Sequence, residues 1–359
     1  MPQLERPPVM LDILEEHFEE LDFLWEQREG VVFAPDWTLK ELAELEERTE
    51  AHLDGLCVGQ GHSVDIARTA LTGEERGATT AAAFVFLALD RPFLDTEVLD
   101  AFKKGPPEAR AGIRIALRHS PIDRLVEPLR ALVKTGEPAV RAAAADVLAF
   151  HRKPAPPGFV DLLGAPDLAD RKLAYIAAGR FGGPWSVDFL DTAFRKGDAD
   201  LKHAAFETSA RVGLPGLASL LRRYATQEPT PIPEALVFLG VLGDPQDQSL
   251  LEFALRRPPL ARAALDGLGA LGRAAAVPNL LKAMTGPTLA PDAGRAFVRL
   301  TGATGIEADQ PLPPPPDLPE EEHELWDPVV PPTPSALPSG GRARRGASRR
   351  TTVTRPVSI

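Results

Sequence analysis

The sequence predicts an all-α fold, an α-solenoid in which short helix pairs stack side by side. Three observations predict it. A helical motif recurs about every 30 residues, the length of two short helices and two turns. Between its copies Leu and Phe recur at three- and four-residue spacing, the mark of one buried helix face. Hydrophobic residues make up 44% of the chain and aromatic ones only 6%. Ala and Leu therefore fill the interior, which suits closely approaching helices better than a β-sandwich rich in Val, Ile and Tyr.

Each copy of the motif opens with a turn, reaches a basic residue and continues as an Ala-rich helix. GPPEARAGIRIALRHS from Gly105, EPAVRAAAADVLAF from Glu137, APDLADRKLAYIAAGRFG from Ala165 and GDADLKHAAFETSARVG from Gly197 share this frame. TPIPEALVFLGVLG, PPLARAALDGLGALG and APDAGRAFVRLTGA continue it, and GATTAAAFVFLALD is a weaker first copy with Thr80 in the basic column. The column reads Arg110, Arg141, Arg171, Lys202, Glu234, Arg262 and Arg295. Second helices lie between the copies: DRLVEPLRALVKTG, GFVDLLGA, SVDFLDTAFRKG, GLASLLRRYA, DQSLLEFALRR and AVPNLLKAMTG. Gly136, Asp244-Pro245 and Pro258-Pro259 punctuate the pairs. Eight residues beyond the column stand Ala149, Gly179, Ala210 and Ala270, small enough to let neighbouring helices approach, whereas Arg118 breaks the pattern. One pair cannot bury its apolar face alone, so stacking stabilises the array, and about seven or eight pairs are expected over residues 77–305.

The Pro/Asp-x-x-x-Arg-x-x-Ala flavour and the spacing resemble the HEAT-like repeats of phycobilisome lyases. The resemblance implies a HEAT-like α-α superhelix whose Ala-rich helices line the concave side. It implies nothing about activity, because solenoids host many functions.

Residues 1–76 do not follow the repeat and are expected to form a helical N-terminal cap. VMLDILEEHFEELDFLWEQREGVV and TLKELAELEERTEAHLDGLCVGQ read as two amphipathic helices. Leu14, Phe18, Leu21 and Trp25 share a stripe of the first. Thr38 and Glu41 give the second a capping box, followed by Leu42, Leu45, Thr49 and Leu53 at helical spacing. His17-Phe18-Glu19-Glu20, Phe23-Leu24-Trp25, Arg28, Leu39-x-x-Leu42 and the run from Leu45 to Leu56 resemble the head of a proteobacterial HEAT-repeat family. Asp is common in that family where Glu46 or Glu47 stands here. The resemblance implies a place near type VI secretion spike genes and carries no catalytic residues with it.

Residues 306–359 are expected to be a disordered tail. QPLPPPPDLPEEEHELWDPVVPPTPSALPSGG is Pro-rich, and such segments bury too little apolar surface to offset chain entropy. Glu-Glu-His-Glu-Leu-Trp at 321–326 is either a short docking motif or plain linker.

Charge and chemistry narrow the function. The net charge is −11, with residues 1–76 strongly acidic and Arg342, Arg344, Arg345, Arg349, Arg350 and Arg355 near the end. Such a body opposes nucleic-acid binding except through that tail. The single cysteine, Cys57, allows no internal disulfide and reads as a buried small hydrophobe. With no signal-peptide pattern, and Thr80–Leu89 as the longest apolar run, a cytoplasmic protein is expected. His17, His52, His62, His119, His151, His203 and His323 form no H-x-x-x-H, and the one His-Glu pair, His323-Glu324, falls in the tail. No metal or other cofactor is expected. Phosphate-loop and G-x-S-x-G patterns are missing as well.

Two groups of candidates remain. Arg110, Arg141, Arg171, Lys202, Arg262 and Arg295 are either a cationic strip that grips a partner or a ladder paired with Glu108, Glu137, Asp170, Asp198 and Asp292. The abundance of nearby acids and the interruption at Glu234 favour the ladder. Arg48, His52 and Asp54, with His17, Trp25 and Arg28, are either a recognition patch or a polar network fixing the head against the first repeat; acid/base work is the weaker alternative. The function expected is a non-enzymatic protein-binding scaffold or adaptor, with an immunity-type inhibitor or a HEAT-like enzyme on nucleic acid or tetrapyrrole as alternatives.

Overall fold

The computed structural model describes residues 4–34, 37–183, 192–194, 197–227 and 231–303. Every regular element among them is helical, and the chain divides into two compact units, Met1–Leu214 and Pro215–Ile359. No helix among the described residues is long and apolar enough to cross a membrane.

The first unit opens with α1 (Leu11–Val31), α2 (Leu39–Gly59) and α3 (Gly61–Leu71). Thr38 starts α2 as its spacing requires: the Glu41 N–H donates to Thr38 Oγ1 at 3.2 Å, and the Thr38 N–H donates to Glu41 Oε2 at 2.8 Å. The head has three helices where two were expected. Gln60, at φ 44°, breaks the chain between α2 and α3. Small residues then allow a sharp return: a Cβ on Gly59 would stand 2.3 Å from Ser63 Oγ and 2.6 Å from Leu14 Cδ1. Cys57 is only half-buried, not enclosed as its apolar neighbours suggested. Burial and the nearby Asp54 still raise its thiol above the ordinary range, so it stays protonated.

The repeats follow as α4 (Arg76–Ala88), α5 (Pro92–Lys104), α6 (Pro107–His119), α7 (Val126–Thr135), α8 (Pro138–Phe150), a 3₁₀ turn (Phe159–Gly164), α9 (Leu168–Phe181) and α10 (Ala199–Arg211). The Ala-rich helices α4, α6, α8, α9 and α10 lie side by side in that order, and α5, α7 and the 3₁₀ turn pack behind them. Proline opens α5, α6 and α8, where its missing N–H leaves nothing unsatisfied. GFVDLLGA forms 3₁₀ rather than α-helix because Gly158, at φ 84°, precedes it and Gly164 ends it after only six residues. The SVDFLDTAFRKG segment falls mostly outside the described residues, and so does everything from residue 304, including the 321–326 motif.

Because α1, α2, α3, α5 and α6 all pack on α4, every residue from Ala81 to Leu87 is buried. That explains why this helix is apolar on all faces. Gly112 sets the closeness of α6 to α4: a Cβ there would meet Arg76 O at 2.4 Å.

The second unit contains α11 (Leu217–Thr226), α12 (Pro233–Leu242), α13 (Gln248–Ala254), α14 (Ala261–Leu271), α15 (Val277–Met284) and α16 (Ala290–Thr301). Here α12, α14 and α16 form the row, backed by α11, α13 and α15 respectively. The α12–α14 contact is backbone on backbone. A Cβ on Gly240 would stand 2.2 Å from Gly267 O, and one on Gly267 would stand 2.6 Å from Leu236 O. Each unit is thus an all-α helical repeat, as the thirty-residue period predicts.

Candidate functional site

The α8 helix reads PAVRAAAADVLAF, and its Ala run is interrupted once, by Asp146. Asp146 is wholly buried in a row otherwise built for close apolar contact. A carboxylate there must be paired, since an isolated buried charge is strongly unfavourable. The pairing comes from the two flanking helices. Arg114 Nη1 on α6 donates to Asp146 Oδ2 at 2.6 Å, and Arg180 Nη1 on α9 donates to Asp146 Oδ1 at 2.7 Å. Arg118, one turn beyond Arg114, brings its Nε to 3.9 Å from Oδ2.

The same helices bring aromatic rings alongside. The guanidinium of Arg118 lies 4.5 Å from the centre of the Phe150 ring, and that of Arg180 lies 5.3 Å from it. Phe150 meets His119 edge-on at 5.1 Å, His119 meets Trp25 at 5.3 Å, and Trp25 stacks on Phe84 at 4.4 Å. Arg28, 5.1 Å from the Trp25 ring, binds Glu46 through Nε at 2.7 Å and Nη2 at 2.6 Å. Residues of α1, α4, α6, α8 and α9 therefore make one strip of rings and guanidinium groups. Beside it, Trp25, Arg28, Glu46, Phe84, His119 and Pro121 wall a cavity of about 340 Å³.

Positive charge dominates the strip. Burial first, then the like charges of Arg180 and Arg114, push Arg118 down to about 10 against the opposing pull of Asp146 and Glu29. His119 is pushed down to about 4 by crowding and then by Arg28, Arg118, His151 and Arg180. His119 is itself exposed at the edge of the strip. Two donors in the strip are buried without a hydrogen-bond partner among the described residues, Arg118 Nε and Trp25 Nε1. No group of three or more His, Cys, Asp or Glu side chains suited to a metal ion occurs among the described residues.

No protein-family model matches the chain, and no curated protein is similar enough to count as a relative. The strip must be read from its own chemistry.

The residues singled out in the sequence fall elsewhere. Arg110 donates to Phe102 O at 3.1 Å and Gly105 O at 2.8 Å; Arg141 donates to Val133 O at 2.8 Å and Gly158 O at 3.1 Å; Arg171 donates to Ala165 O at 2.7 Å. These three satisfy backbone carbonyls at the ends of adjoining helices and turns rather than forming a free cationic strip, and Arg141 also lies 3.7 Å from Asp161 Oδ2. Arg262 Nε lies 3.4 Å from Asp292 Oδ2, and Arg295 binds the same carboxylate, which is ladder-like. Lys202 makes no side-chain bond among the described residues.

The head cluster separates into parts. His17 Nδ1 and His52 Nδ1 are 3.0 Å apart and hold α1 to α2, with Gly55 leaving room for the His17 ring. Burial and the facing His17 hold His52 below the ordinary histidine range. Arg48 lies 3.8 Å from Glu20, and Asp54 is exposed. Of the six, Trp25 is the one whose ring reaches the repeats, through Phe84 and His119, so the histidine pair does not fix the head against them. Sequence reading missed Asp146, Arg114, Arg180 and Phe150. Two signals pointed there: the acid that breaks an alanine run, and Arg118 in a column of small residues.

Proposed function

We propose that the protein is a non-enzymatic scaffold or adaptor that binds another protein through the strip of rings and guanidinium groups in its first unit. The supporting observation is that helices far apart in sequence combine to present His119, Phe150, Arg118 and Arg180 on one surface, with the buried Trp25 packed behind His119. Aromatic residues and arginine are the side chains that dominate protein-binding energy, because they bring large rigid area and directed donors. A cytoplasmic setting and a type VI secretion component or effector as partner belong to this reading. The head's resemblance makes that class of partner the first to try.

The test is affinity capture from a host extract with the full chain and with a Phe150→Ala/Arg180→Gln variant of verified fold. The reading expects at least one protein that the natural chain retains reproducibly and the variant loses. Equal recovery by both, or no specific recovery, contradicts it.

A further inference from the structure

The geometry points to Arg118, on its Phe150 shelf, as a receptor for one carboxylate of a partner protein, the side chain of an acidic residue set two positions from a large apolar one. This rests on the scaffold reading above and names what that surface recognises.

The first argument is a charge count. Three guanidinium groups surround the single carboxylate of Asp146, and two of them already hold it by hydrogen bonds of 2.6 and 2.7 Å. A carboxylate so held needs no third cation. Arg118 nevertheless lies there, its side chain 21% exposed, with no hydrogen bond to any described residue. Its Nε is closed off toward Asp146, which leaves the two terminal amino groups as an unoccupied fork. A half-desolvated guanidinium beside Arg114 and Arg180 is unfavourable until an anion completes it, and a carboxylate matches a planar fork.

The second argument concerns which anion. A nucleic-acid strand presents a phosphate at every residue, and its affinity grows with the number neutralised. Arg118 offers one open fork, while Glu26, Glu29, Glu46 and Glu50 border the adjoining cavities and would repel further phosphates. A peptide brings a single carboxylate and meets that repulsion once rather than at every residue. The neighbouring His119 ring lines the cavity of about 340 Å³ shared with Trp25 and Phe84, a volume suited to a large apolar side chain. In an extended segment residues two apart share a face, about 7 Å from one another, so the acidic side chain on the fork and the apolar one at the cavity belong to positions i and i+2, as Glu and Trp do in a Glu-Leu-Trp run.

The experiment uses the full chain and an acetylated, amidated peptide with a Glu-Leu-Trp core, followed by fluorescence anisotropy against its Gln-Leu-Trp isostere. The Glu peptide is expected to bind about tenfold more tightly or better, as suits a charge-assisted hydrogen bond. Arg118→Gln should abolish that preference without lowering the melting temperature. Arg114→Gln supplies the contrast, because losing a hydrogen bond to Asp146 lowers the melting temperature. No binding, no preference for Glu over Gln, a preference that survives Arg118→Gln, or stronger competition by a single-stranded oligonucleotide would overturn the inference. A melting temperature that falls in Arg118→Gln as far as in Arg114→Gln would also overturn it, by making Arg118 a structural counter-ion. If the preference is absent while the captured partner still depends on Phe150 and Arg180, the carboxylate reading fails and the scaffold reading stands.

Discussion

Asp146 of the first unit and Asp247 of the second are both buried, and they are handled in opposite ways. In the second unit Asp247 closes the turn Pro245–Asp247. It accepts Arg222 Nε at 2.6 Å, Arg222 Nη2 at 2.9 Å and the Asp244 N–H at 3.0 Å. One cation meets one anion in a bidentate pair, and a backbone donor completes the set. In the first unit Asp146 lies in mid-helix and is ringed by three arginines. Asp247 is balanced and capped, as a structural ion pair should be. Asp146 is overcompensated, and the surplus faces an aromatic strip. A buried charge whose partners balance it explains a fold, whereas a surplus calls for a ligand.

That comparison is tested most forcefully by removing the anion. Asp146→Ala leaves three clustered guanidinium groups without a counter-charge and should lower unfolding free energy by about 3–5 kcal/mol, measured by urea denaturation. Asp247→Asn keeps the shape, loses the ion pair and should cost less, about 1–3 kcal/mol. Equal losses would break the contrast between the two sites.

The period that reveals the fold is legible because it is local: a turn, a basic residue and an Ala-rich helix repeat in register. The Thr38–Glu41 capping box is legible for the same reason, with both partners within one turn. The bonding of Arg110, Arg141 and Arg171 is not, since their acceptors are backbone carbonyls that no residue type announces. The Asp146 site is harder still. Arg114, Asp146 and Arg180 lie 32 and 34 residues apart and meet only when α6, α8 and α9 stand side by side. Its traces in the sequence are departures from the repeat, which alignment on the repeat tends to smooth away.

The second unit's row makes a prediction of its own. Gly267→Ala places a methyl against Leu236 O, where 2.6 Å is far too close, and should destabilise by about 1–3 kcal/mol. A neutral outcome would mean that this row tolerates wider spacing than its glycines imply.

A third carboxylate sharpens the comparison from the other side. Asp22 of α1 sits against Gly77 with Glu26 and Glu75 nearby and has no ion pair among the described residues. Burial, then those two acids, raise it from 3.8 to about 6. The folded state therefore holds this proton more tightly than the unfolded chain does. The stability it contributes is fully present below pH 3.8 and is lost as pH rises through about 6. Asp22→Asn should stabilise the protein on the order of 1–2 kcal/mol at about pH 8 and leave it unchanged below about pH 3.5. Thermal melts across that range check the sign.

The surplus of positive charge around Asp146 has a reporter in place, His119, which faces Arg28, Arg118 and Arg180. An NMR titration of its ring, with and without the Glu-Leu-Trp peptide, reads that field directly. The account predicts a free value below the ordinary histidine range that climbs when the peptide's carboxylate occupies the fork. An ordinary histidine value in the free protein, or one that the bound peptide does not move, would contradict it.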